Sequence, residues 1–62
     1  MMAGWVTFTG SDGMVYRFRA SSVSAVIETP SGGAVVYGFG FGAEVTESAT
    51  EVLDALQVAL AA

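Results

Sequence analysis

The sequence predicts an α+β fold: a small antiparallel sheet of four to five strands, two hairpins plus a connecting strand, with one C-terminal helix packed on a face. Three observations lead there. Aromatic, aliphatic and polar residues alternate with period two over much of residues 5–46, the pattern of half-buried strands. Clusters of glycine, serine, aspartate and proline interrupt that alternation at 10–13 and 30–33. After Ser48 the apolar spacing changes to three and four, which belongs to an amphipathic helix. The 62 residues form one domain, 1–62, without linker or internal repeat.

Gly4-Trp-Val-Thr-Phe-Thr9 reads as the first strand, over 5–9. Gly10-Ser-Asp-Gly13 is a turn, since glycine tolerates positive φ and the Asp12 carboxylate can accept from nearby amides. The chain returns over 14–19, with Met14, Tyr16 and Phe18 on one face and Val15, Arg17 and Arg19 on the other. A small polar corner, Ala20-Ser-Ser-Val23, leads into a third strand over 24–29. Pro30 stops it, because proline donates no ladder hydrogen bond. Strands over 34–38 and 42–46 follow, then the helix over 49–60.

Ser48-Ala-Thr-Glu51 matches a capping box, and Glu47 and Glu51 lie near the positive end of the helix dipole. Ala49, Val52, Leu53, Leu56, Ala59 and Leu60 share one helical stripe, with Thr50, Asp54 and Gln57 opposite and Val58 among polar positions. The expected core joins Trp5 or Thr7 to Val52, Leu56 and Leu60.

Composition narrows the partners. A 62-residue chain is near the lower limit for folding alone, and it lacks the cysteines and histidines that staple many small domains. It is 53% apolar and only 13% charged, too little charge to cover a small monomer, so we expect a homo-oligomer. With a net charge of −4 and Arg17 and Arg19 as its only cations, binding to nucleic acid polymers or to anionic membranes is disfavoured. No apolar run approaches a spanning helix, and the N-terminus lacks a basic region followed by an apolar one, so the expected location is cytoplasmic.

Catalytic chemistry is poorly supplied. Without His, Cys or Lys, the common bases, thiol nucleophiles and Schiff-base formers are missing, so neither an enzyme nor a metal or cofactor site is expected. Glu28 and Glu44 are carboxylates that could face one another across the sheet, although each is most simply a solvated strand residue.

The stretch Tyr37-Gly-Phe-Gly-Phe-Gly42 is the strongest candidate site. As a continuous strand it places Tyr37, Phe39 and Phe41 on one face, leaving Gly38, Gly40 and Gly42 bare on the other. As a hairpin it turns at Phe39-Gly40 and holds phenylalanine at its tip, in a position that usually takes Asn, Asp or Gly. Either way Phe39, Phe41, Gly38 and Gly40 are candidate interface residues; the plainer alternative is that the phenylalanines are core and the glycines make room for the helix. Arg17 and Arg19 suit bidentate recognition of phosphate or carboxylate. With Tyr37, Phe39 and Phe41 they are candidate ligand-binding residues for a small anionic molecule at a subunit interface. The simpler alternative pairs these arginines with Glu28 or Glu44 across the sheet, each pair contributing about 0–1 kcal/mol.

Two segments, Val23-Ser-Ala-Val-Ile-Glu-Thr-Pro30 and Val45-Thr-Glu-Ser-Ala-Thr-Glu-Val52, resemble the "I-x-x-I-E-x-T-P" and "V-x-E-S-x-x-E-V" stretches of the FlbD-like small flagellar and swarming-motility proteins, also found in phages and prophages. The resemblance spans most of residues 5–60. It implies a hairpin at Phe39-Gly40 and a non-enzymatic accessory role. The chain departs from that family in a one-residue offset of the first segment if Val26 and Ile27 both count, in having Phe39-Gly40 where Asn-Gly is usual, and in lacking lysine. Three functional readings follow: a homo-oligomeric binding module that contacts a protein, an oligomer that sequesters a small anion such as a signalling nucleotide, and a phage structural or coat component.

Overall fold

A computed structural model describes residues 4–61. The order is β1 (Trp5–Thr9), β2 (Val15–Arg19), a 3₁₀ turn (Ala20–Ser22), β3 (Val23–Glu28), β4 (Ala34–Gly38), β5 (Phe41–Val45) and α1 (Ala49–Ala61). The fold is α+β, with every expected element present and several ends moved by one residue. Met14 falls outside β2 because its amide donates to Asp12 Oδ1 at 2.9 Å, drawing it into the turn. Around Pro30, Thr29 closes the next turn by donating to Gly33 and accepting from Gly32.

The strands form two sheets. A β1–β2 hairpin makes one, and a β3-β4-β5 antiparallel meander makes the other. A bridge between Gly10 and Val45 joins them, flanked by Ser11 N donating to Glu44 O at 2.9 Å and Thr46 N donating to Thr9 O at 2.8 Å. The strands therefore follow one another in space as β2-β1-β5-β4-β3. Among the described residues, β2 pairs only with β1 and β3 only with β4, so these two are the edges.

The core is Val6, Phe8 and Phe18 from the hairpin, Ala34, Val36, Ala43 and Val45 from the meander, Ala20 from the 3₁₀ turn, and Val52, Leu56 and Ala59 from α1. Two expectations are corrected here. Trp5 and Thr7 face outward, and Val6 and Phe8 take the inner positions. The register explains it: Val6 lies opposite Phe18 and Phe8 opposite Tyr16, and directly opposed residues share a face. Leu60 is exposed as well, and the smaller Ala59 is buried instead. Val58 lies on the surface.

The helix start forms as its residues dictate. Glu51 N donates to Ser48 Oγ at 3.2 Å and Ser48 N donates to Glu51 Oε1 at 2.9 Å, the reciprocal capping box. Glu47 does something local sequence does not reveal: its carboxylate accepts from Thr9 N at 3.0 Å, tying the end of β1 to the residues before α1. The helix packs against β1, β3 and the 3₁₀ turn.

Candidate interaction surface

The β4–β5 hairpin settles the geometry of the glycine–aromatic stretch. Phe39 has φ 54° and Gly40 φ 82°, two successive left-handed residues in the two-residue turn of a hairpin. The continuous-strand reading is therefore wrong: Tyr37, Phe39 and Phe41 do not share a face. Tyr37 opposes Gly42, and Gly38 opposes Phe41, so the two flanking aromatics point to opposite sides of the sheet.

Each of the three aromatics has its own surroundings. Phe41 is on the inner side, where its ring stacks on Phe18 at 5.6 Å between centroids; Phe18 in turn lies 6.4 Å from Phe8. That makes Phe41 a half-exposed rim of the core. Tyr37 is on the outer face, its ring laid against β5. A Cβ on Gly42 would come 2.6 Å from Tyr37 Cε1, so the missing side chain is what lets the ring lie flat. Phe39 stands at the tip, 72% exposed. A left-handed backbone costs a non-glycine residue roughly 1–2 kcal/mol, and here no burial offsets it.

Gly38 leaves the candidate interface. It is buried, and a Cβ there would lie 3.0 Å from the Ser22 carbonyl oxygen, so it serves the close approach of the 3₁₀ turn. Gly40 stays at the exposed tip. The outer face of the meander supplies residues that the reading of 37–42 alone did not include. Ala25, Tyr37 and Gly42 form one cross-strand row, and Ile27, Val35 and Glu44 the next. Ile27 and Tyr37 are exposed there, an apolar face on the strands that lead to the Phe39 tip. Strand parity carried this signal, since Val35 and Tyr37 alternate with the buried Ala34 and Val36.

Arg17 and Arg19 lie on the outer face of the other sheet, opposite Thr7 and Trp5. The Arg19 guanidinium carbon is 4.9 Å from the centre of the Trp5 ring, a cation–π contact to the outward-facing indole. Glu28 and Glu44 are strand residues of the other sheet, so the arginines meet neither of them across a shared sheet. Nor do the two glutamates oppose one another: Glu28 pairs with Ala34 and Glu44 with Val35. Glu44 Oε1 accepts from Ser11 Oγ at 3.2 Å. Within one chain the arginines and Phe41 are also apart, because Phe18, which stacks on Phe41, points inward from β2 between them.

The first turn shows the chain's clearest electrostatics. Asp12 accepts from Met14 N through Oδ1 and from the Tyr16 hydroxyl through Oδ2 at 2.8 Å. These bonds, the Met14 amide first and Tyr16 second, hold the carboxyl below its ordinary value. The same bond to Asp12 raises the Tyr16 hydroxyl.

Among the described residues no three His, Cys, Asp or Glu side chains gather as a metal site would require, and no helix is long and apolar enough to cross a membrane. No protein-family model, curated protein or solved structure matches this chain.

Proposed function

We propose that this chain is a small, non-enzymatic, homo-oligomeric binding module of the bacterial or phage cytoplasm, docking a protein partner on the outer face of the β3-β4-β5 sheet. Tyr37, Ile27 and the Phe39 tip form the contact. One observation carries the reading: Phe39 holds a left-handed backbone that Asn, Asp or Gly would adopt at lower cost, and it exposes its ring there. A large apolar side chain in a turn position that favours Asn, Asp or Gly, beside an apolar sheet face, fits a contact residue. The resemblance to the FlbD-like proteins agrees with an accessory, non-catalytic role.

The decisive comparison is Phe39→Asn against the wild type. Asparagine suits the turn, so the variant should be more stable. As the docking residue is gone, proteins that co-purify with the wild type from its native host should be lost. Undiminished co-purification with the stabilised variant would sink the reading.

A second reading has its own observation, the Trp5–Arg19 stack with Arg17 two residues away on one exposed face. That face suits a small anion with an aromatic part, sequestered where copies meet. Native mass spectrometry of gently purified protein would show it as a few hundred daltons of retained mass, and Arg17→Glu should remove that mass.

A further inference from the structure

The two sheet edges are unequal. On β2, Arg17 and Arg19 stand exposed, and charged side chains are a common protection against edge pairing. On β3, residues 23–27 carry no charge, and Glu28 stands only at the end. Beside this unprotected edge, a groove of about 370 Å³ separates β3 from α1; Val23, Val26, Ala49, Leu53 and Leu56 make its apolar lining, and Glu28 stands at its rim as the one carboxylate that lines it. The apolar stripe of the helix is wider than the core it serves. Val52, Leu56 and Ala59 are buried, whereas Leu53 and Leu60, seven residues apart and so on one side of the helix, remain 51% and 60% exposed. Leu53 places that surplus stripe on the β3 side.

We infer that β3 and the Leu53–Leu60 stripe form a two-fold interface with a second copy of this chain. Antiparallel pairing of β3 with its own copy extends the three-stranded sheet to six strands, and the same axis brings the two leucine stripes together. One symmetric contact thus satisfies a bare strand edge and an uncovered helix side.

The placement of charge fits a second copy. A chain with net charge −4 meets itself with least repulsion where its six carboxylates are fewest. Asp12 is held in the first turn, Glu44 by Ser11, Glu47 by Thr9 and Glu51 by Ser48. Asp54 is about 100° around the helix from Leu53. Glu28 remains, and antiparallel pairing sends its two copies to opposite ends of the ladder. For a pairing centred on Val26 they are about 13 Å apart, beyond the screening length of about 8 Å at physiological salt.

This dimer rests on the self-association proposed above, and it uses a surface separate from Phe39. Native mass spectrometry and sedimentation across a concentration series should show a dimer for the wild type and for Phe39→Asn. Leu53→Lys combined with Leu60→Lys, both at exposed sites, should give a folded monomer with unchanged circular dichroism. Hydrogen exchange on the wild type needs no variant: amides of residues 23–28 should lose protection when the dimer is diluted to monomer. A wild-type monomer at high concentration would overturn both the dimer and the proposed self-association, leaving the β3 edge to a foreign strand. A dimer that survives the double substitution, or shows no dilution-dependent protection in 23–28, would overturn this interface alone.

Discussion

The two hairpins solve the same geometric problem in opposite ways. At the β1–β2 turn the side chains supply what the backbone lacks: Asp12 accepts from Met14 N and from the Tyr16 hydroxyl, and Gly13 takes the positive φ. At the β4–β5 turn both central residues are left-handed, and one of them is a phenylalanine with an exposed ring. The first turn is chosen for the hairpin it closes. The second gives up local stability, and the residue responsible faces solvent beside an apolar sheet, where folding gains nothing from it. A local sacrifice of that kind, next to an equivalent element that makes none, is the clearest pointer to function in the molecule.

The largest effect should come where the two hairpins meet. Phe18 touches Phe8 within its own sheet and Phe41 from the other, so Phe18→Ala removes the ring that joins them. A loss of about 3–5 kcal/mol is expected for a buried phenylalanine, enough to unfold so small a domain, and chemical denaturation would measure it. Retention of a cooperative transition near the wild-type midpoint would mean that the hairpins are coupled elsewhere.

Next comes the outer face of the second hairpin. Gly42→Ala drives a methyl group into the Tyr37 ring, which is exposed enough to swing aside, and should cost about 1 kcal/mol. The same change made on a Tyr37→Ala background should cost far less, because the obstacle is gone; a double-mutant cycle measures the coupling. Additive losses would show that the ring does not depend on the bare glycine.

Phe39→Asn should act in the other direction, stabilising the fold by about 1 kcal/mol. In a domain of this size that corresponds to a rise in Tm of about 4–8 °C. A fall in Tm would place the Phe39 ring among the residues that hold the fold.

The smallest effect belongs to the first turn and is a pH dependence. The Asp12 carboxyl is held below its ordinary value of 3.8, so its contribution is present above that pH and disappears as pH falls through the lowered native value. Tyr16 is the converse: its hydroxyl is raised above 10.0, so its contribution is present below pH 10 and lost as pH rises through the raised value. Thermal melts of the wild type and Asp12→Asn should therefore differ at neutral pH and converge at strongly acidic pH. Parallel curves at every pH would separate the turn's stability from that carboxylate.

Much of this molecule is legible from neighbouring residues alone. Ser48 and Glu51 are three apart and cap the helix wherever it packs; Asp12 and Gly13 make a turn with groups at most four residues away; period two marks each strand. Such features depend on short-range bonds, and a sequence displays them directly. The rest depends on packing, because the partner that fixes each outcome is distant in the chain. Whether Trp5 or Val6 faces inward depends on which residue of β2 lies opposite, and alternation alone reads equally well from both sides of a strand. Gly42 and Tyr37 explain one another only once the hairpin turns at Phe39-Gly40. Leu53 and Leu60 fit the same apolar stripe as Leu56, but packing covers Leu56 and leaves the other two exposed. Local pattern was enough for the elements and their order, while the turn at Phe39-Gly40 became certain only with the β4–β5 register. Packing determined which apolar side chains became core and which were left on the surface, since burial is a property of the whole assembly of elements and of no single one of them.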